Sequence, residues 1–197
     1  MADLATAARE LDARYGLASL EGGRHPGWGT ANRIVPLGDA YLELIAVVDE
    51  AEAAQSPFGR WIAGSARTVL GWAVRTGDLD DVARRLALPV GTGSRADPEG
   101  RLLQWRFAGV DRAVAEPSLP FFAEWAPGTP FPGLAPAAPF DVKRLELSGD
   151  ADRLAAWLGP HRLPIVIRPG SPAVTRIVLT GASGAVVLEE PFSGDGS

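Results

Sequence analysis

The sequence predicts an α+β fold of repeated βαβββ modules, with curved mixed and antiparallel sheets around a cleft. Three observations predict it: a helical segment that occurs three times, strand-like runs at matching places around the copies, and proline- and glycine-rich punctuation between them. The helical segment runs Asp3-Leu4-Ala5-Thr6-Ala7-Ala8-Arg9-Glu10-Leu11, then Asp78-Leu79-Asp80-Asp81-Val82-Ala83-Arg84-Arg85-Leu86, then Asp150-Ala151-Asp152-Arg153-Leu154-Ala155-Ala156-Trp157-Leu158. The copies start 75 and 72 residues apart. Repetition at a fixed period marks a supersecondary unit used more than once.

Each copy opens on an aspartate, whose side chain can accept from the free N–H groups of a helix N-terminus. Apolar residues follow at the first, fourth, fifth and eighth positions after it, the stripe of a helix lying on a sheet. Helices are therefore expected over 3–14, 78–87 and 150–158. Thr68–Val74 and Val142–Leu147 precede the second and third copies and are rich in strand-forming residues. Further strands are expected over 30–36 and 40–48, over 101–108 and 120–125, and over 164–168, 174–180 and 185–189. Residues 56–66 read as a short helix or turn, and PGTPFPGLAPAAP at 127–139 as an ordered linker. The expected organisation is a first module over 1–66, a second over 67–126, the linker 127–139, a third unit over 140–191 and a frayed tail at 192–197. Only Met1 and Ala2 precede the first helix. The first module thus lacks its leading strand, and the expectation is either a start codon set too late or a strand truly lost. A lost strand would expose backbone groups that invite pairing with another chain, a homodimer being one such pairing.

Composition narrows the function classes. The 197 residues carry a net charge of −5 with both signs interspersed, so no basic face is available for nucleic acid. The chain has no cysteine, which removes disulfides, thiolate nucleophiles and thiolate metal sites. There is no apolar run long enough for a membrane span, and the amphipathic N-terminus lacks the core of a signal peptide. A cytoplasmic protein acting on a small molecule is the expectation. No phosphate loop, GxGxxG fingerprint, GxSxG elbow or HExxH helix occurs, so no nucleotide cofactor is expected.

The stretch His25-Pro26-Gly27-Trp28-Gly29-Thr30-Ala31-Asn32-Arg33, followed by Tyr41-Leu42-Glu43-Leu44, resembles the glyoxalase-like domains of the vicinal oxygen chelate superfamily. Pro120-Phe121-Phe122-Ala123-Glu124-Trp125 is similar to a second block of that group. The resemblance implies paired modules around a shared cleft, where members with known activity often hold a divalent metal through His and Glu. It also implies a range of outcomes, from lyases, isomerases and dioxygenases to proteins that only sequester a ligand.

Glu43 lies in the otherwise apolar strand Ala40–Val47, where a carboxylate is costly unless paired, hydrogen-bonded or coordinated. Alternation places Tyr41, Glu43 and Ile45 on one face. Glu124 repeats the pattern among Phe122 and Trp125. The resemblance makes both glutamates candidate metal ligands and acid–base groups for a divalent Mn, Mg, Fe or Zn ion. A solvent-facing side chain or a structural ion pair is the competing reading for each. His25, in a run expected to be a glycine-rich loop, is a candidate for binding substrate, with Trp28 as a pocket wall. Asn32 and Arg33 point to opposite faces of one strand. Asn32 is a candidate for orienting a carbonyl, and Arg33 for pairing with a substrate carboxylate or with Glu43. Trp105 is a candidate pocket residue or core filler. Two glutamates are too few for tight metal binding, and the second module reads Leu70-Gly71-Trp72 where the resemblance would put a histidine. Three functions compete: a metal-assisted lyase or isomerase on a small carbonyl compound, a metal-free protein that binds an apolar or aromatic molecule, and a divergent subunit or scaffold with no ligand.

Overall fold

The structure, a computed structural model, describes residues 4–65, 68–134, 140–182 and 184–189. Its helices are α1 (Leu4–Tyr15), α2 (Glu50–Gln55), α3 (Pro57–Gly64), α4 (Leu79–Leu86), α5 (Val110–Ala115) and α6 (Ala151–Leu158). Its strands are β1 (Leu20–His25), β2 (Thr30–Leu37), β3 (Ala40–Val47), β4 (Ala73–Arg75), β5 (Val90–Ala96), β6 (Leu102–Ala108), β7 (Phe121–Trp125), β8 (Phe140–Ser148), β9 (Ile165–Arg168), β10 (Ala173–Gly181) and β11 (Gly184–Glu189). They form three sheets in the orders β1-β2-β3, β4-β7-β6-β5 and β11-β10-β8-β9. The mixture of antiparallel and parallel pairing agrees with the α+β fold expected from the sequence. No helix among the described residues is long and apolar enough to cross a membrane.

The chain divides into two compact units. The first comprises Met1–Ser65, Thr92–Arg106 and Trp125–Asp141; the second comprises Ala66–Gly91, Phe107–Glu124 and Val142–Ser197. In the first unit, β1, β2 and β3 form an antiparallel meander. Gly38 opens the two-residue turn between β2 and β3 with φ +69°, a conformation that glycine adopts without strain. Helix α1 packs against β2 and β3, and Gly16, at φ +68°, closes its end by donating to the Asp12 carbonyl. Leu17, Val35 and Leu37 are fully enclosed, and burying each contributes about 1.5–3 kcal/mol.

In the second unit, Leu79 and Ala83 of α4 pack with Ala108 and Phe122, and Trp157 and Leu158 of α6 join the same core. Both helices start where the sequence places them. Asp78 accepts from Asp81 N–H at the head of α4, and Asp150 accepts from Arg153 N–H at the head of α6. Arg85 donates to the Ala156 and Trp157 carbonyls and so satisfies the last turn of α6. Asp3, the third aspartate, lies outside the described residues, as do 135–139 of the linker and the 192–197 tail.

Several local expectations are corrected. The strand expected over Thr68–Val74 is confined to Ala73–Arg75, which pairs in parallel with β7. The run expected to be a glycine-rich loop at Glu21–His25 is most of strand β1, with a bulge between Glu21 and Gly23. Helices α2 and α5 and strand β5 have no counterpart in the sequence reading. The sheets also differ in order. Leading strand β4 pairs with the last strand of its sheet, β7, whereas β8 pairs in parallel with the strand that follows it, β9.

Candidate functional site

The first unit gathers the chemistry. Register places His25 opposite Thr30, Asn32 opposite Ile45, and Ile34 opposite Glu43. Side chains at matched positions share a face, so His25, Thr30, Asn32, Glu43 and Tyr41 line one side of the meander. Asn32 and Glu43 are diagonal neighbours across β2 and β3, and the Asn32 amide donates to the Glu43 carboxylate at 2.6 Å.

His25 is 2 % exposed, and its Nδ1 lies 2.9 Å from the Thr30 hydroxyl. Its Nε2 lies 3.9 Å from Glu43 Oε1, beyond hydrogen-bonding distance. Burial, reinforced by the charge of Arg95, brings the His25 pKa down from 6.5 to about 4. The imidazole is therefore neutral at pH 7, and the contact with Glu43 is not an ion pair.

Burial pushes the Glu43 pKa up; the Asn32 hydrogen bond and the Arg95 charge offset part of that rise. Protein atoms crowd Glu43, yet 32 % of its side-chain area remains accessible. The Glu43 carboxylate can thus be reached without opening the fold, and its face of the meander forms the floor of the candidate site. Burial, then the neighbouring Glu43 charge, raises the pKa of Tyr41.

Arg95 on β5, absent from the sequence reading, completes the floor. It is 4 % exposed and donates to the Gly22 carbonyl. Glycines create its place. A Cβ on Gly22 would lie 1.9 Å from Asn32 Oδ1, and one on Gly23 would lie 2.3 Å from the Ala96 carbonyl oxygen. The β1 glycines therefore admit the protein's own Asn32 and β5 strand. Asn32 is 5 % exposed, and its Oδ1 is a buried atom with no hydrogen-bond partner among the described residues.

An unbroken series of ring contacts adjoins this floor. Trp61 touches Phe58 with ring centroids 5.4 Å apart, and Phe58 touches Trp28 at 4.6 Å. Trp28 meets Trp105 edge-on at 5.9 Å, and Trp105 meets Trp125 at 5.3 Å. Phe131 joins Trp125 to Tyr41, at 6.4 and 5.5 Å. His25 lies against both Trp28 and Trp105, at 5.5 and 6.0 Å. Trp105 lies against Gly93, where a Cβ would come within 2.5 Å of its ring. The turn that carries Trp28 is pinned from α2, where Glu52 accepts from Gly27 N–H and pairs with Arg24 at 3.0 Å. Ser56 caps α3 by accepting from Gly59 N–H, which fixes the helix bearing Phe58 and Trp61.

The structure brings together five of the seven sequence candidates: His25, Trp28, Asn32, Glu43 and Trp105. Arg33 is a correction. It faces the opposite side of β2 and donates to the Ser19 side chain and carbonyl, so it does not pair with Glu43. Glu124 belongs to the second unit, where its carboxylate accepts from Leu79 N–H at the head of α4, at 3.3 Å. Among the described residues no three His, Cys, Asp or Glu side chains are grouped to hold a metal ion. His25 Nε2 and Glu43 offer two donors, and the Arg95 cation acts on both.

The sequence model of the glyoxalase-like domain matches residues 1–162. A crystal structure of a hypothetical protein from Staphylococcus aureus shares the fold, with a TM-score of 0.55 at 13 % identity over 88 % of this chain and 76 % of that one. No curated protein matches the chain.

Proposed function

The chain belongs to the glyoxalase-like domain family, and within it we propose a metal-independent protein that binds a planar aromatic small molecule carrying a carbonyl or similar polar group. The observation that carries this reading is the unbroken series of ring contacts from Trp61 to Tyr41, which meets the face of the reachable carboxylate Glu43 at His25 and Tyr41. Aromatic walls supply dispersion and stacking; a few fixed polar groups supply orientation. Glu43 and Asn32 meet the polar group of the ligand, and Trp28 and Trp105 meet its ring. A divalent ion fits poorly here. Two donors fall short of a stable site, and a guanidinium beside them supplies the positive charge that a metal would bring.

A second reading rests on the His25–Glu43 pair, 3.9 Å apart. A carboxyl of raised pKa beside a neutral imidazole is suited to moving a proton next to a carbonyl, as a lyase or isomerase requires. The test is indole fluorescence titration with 1-naphthamide and 2-naphthol, in EDTA and again with added Mn²⁺, alongside turnover assays on 2-oxoaldehydes and keto acids. Saturable binding of at least one of the two aromatics, unchanged by Mn²⁺, supports the binding protein. Binding or turnover that requires Mn²⁺ overturns it.

A further inference from the structure

A buried arginine without a carboxylate partner is expensive, because desolvating a guanidinium costs several kcal/mol unless its donors are used. Arg95 is such a group. Its Nη1 donates to the Gly22 carbonyl, the one hydrogen bond the guanidinium makes among the described residues, although the side chain carries five N–H donors. The carboxylates whose charges act on it, Glu43 and Asp97, make their hydrogen bonds elsewhere: Glu43 to Asn32, and Asp97 to the side chain and backbone N–H of Arg101. Arg95 is on the same strand, two residues along, as Gly93, which receives the Trp105 ring. Alternation puts both on one face, so the cation lies beside the wall that also touches His25.

We infer that this site selects aromatic carboxylic acids, the ligand carboxylate pairing with Arg95 and its ring resting against Trp28 and Trp105. The inference rests on the binding role proposed above and narrows it to an anionic class. Arginine suits the task, since its planar fork matches a carboxylate with two parallel N–H bonds. Glu43 sets the cost. With Glu43 ionised, the incoming anion meets a like charge across the floor; with Glu43 protonated, it meets a hydrogen-bond donor and an Arg95 whose charge Glu43 no longer offsets. Binding of the acid therefore favours the protonated form of Glu43, and affinity rises as pH falls, until the ligand itself protonates.

The test compares 1-naphthoate and benzoate with their neutral amides, 1-naphthamide and benzamide, by isothermal titration calorimetry on the full chain. Titrations at pH 7 in buffers of different ionisation enthalpy report the protons exchanged. The expected result is a preference for each acid over its amide of about 10- to 100-fold, the worth of one charge-assisted pair. Net proton uptake should accompany the acids and not the amides. Arg95→Met should lower affinity for the acids far more than for the amides, collapsing the acid-to-amide ratio towards one, and Glu43→Gln should erase the proton uptake. If Arg95→Met does not fold, the acid-to-amide ratio and the proton count on the unaltered protein still decide. Equal affinity for acid and amide overturns this inference and leaves the binding role standing; no binding of either overturns both.

Discussion

Lowering the pH from 7 to 4 charges His25 in the unfolded chain before it charges in the fold. The unfolded imidazole titrates near 6.5, and burial with the Arg95 charge holds the folded one at about 4. A group whose folded pKa is depressed contributes stability above its unfolded pKa and loses it as pH falls towards the folded value. Over that window of two and a half units, at 1.36 kcal/mol per unit, the loss is about 3 kcal/mol. Glu43 works in the opposite sense. Its folded pKa is raised, so its contribution is greatest below the unfolded carboxylate range and falls as pH rises through the folded value. Arg95 stays charged throughout and opposes the His25 proton. Urea unfolding followed by indole fluorescence, at half-unit steps from pH 7.5 to 3.5, measures the slope. His25→Asn removes the titrating group and leaves an amide facing Thr30. Its stability should be flatter than the parent's between pH 6.5 and 4 by the same amount, whatever the variant loses at pH 7. Parallel curves for the two proteins would refute the neutral, buried imidazole.

Asp150→Ala removes the side chain that accepts from Arg153 N–H, and should lower stability by about 1 kcal/mol by thermal melt. Gly93→Ala places a methyl 2.5 Å from the Trp105 ring, so overpacking should cost about 1–3 kcal/mol and shift the indole emission. Glu124→Gln leaves an oxygen for Leu79 N–H, so the helix head should keep most of its stability and ligand affinity should be unchanged. A large loss of affinity in that variant would return Glu124 to the binding site.

Glu43 was legible because a carboxylate in the apolar run Ala40–Val47 demands a partner, and the structure supplies Asn32. Alternation correctly separated Asn32 from Arg33 but could not say which face was the floor; register against His25 and Glu43 decides that. The helix starts at Asp78 and Asp150 were legible because a cap is local chemistry. Arg95 was not. Its strand reads Val90-Gly91-Thr92-Gly93-Ser94, which by composition is a turn. Its pairing with β6, whose Trp105 ring lies over Gly93, makes it a strand, and that is a long-range fact. The available signal was glycine at every second residue, facing aromatics at the same spacing in Trp105 and Phe107. The Gly22-Gly23 pair misled for the same reason, since these glycines make room for Asn32 and the β5 strand instead of forming a loop.

The central claim is that the ring-walled floor of the first unit holds an aromatic ligand without a metal. A crystal structure of the protein with the tightest-binding naphthyl compound, grown in the presence of Mn²⁺, tests it most directly. The account predicts density for the ligand ring against Trp28 and Trp105, its polar group within reach of Glu43 or Arg95, and no anomalous signal from manganese beside His25. A manganese peak bonded to His25 Nε2 and Glu43, or a ligand bound away from these residues, would contradict it.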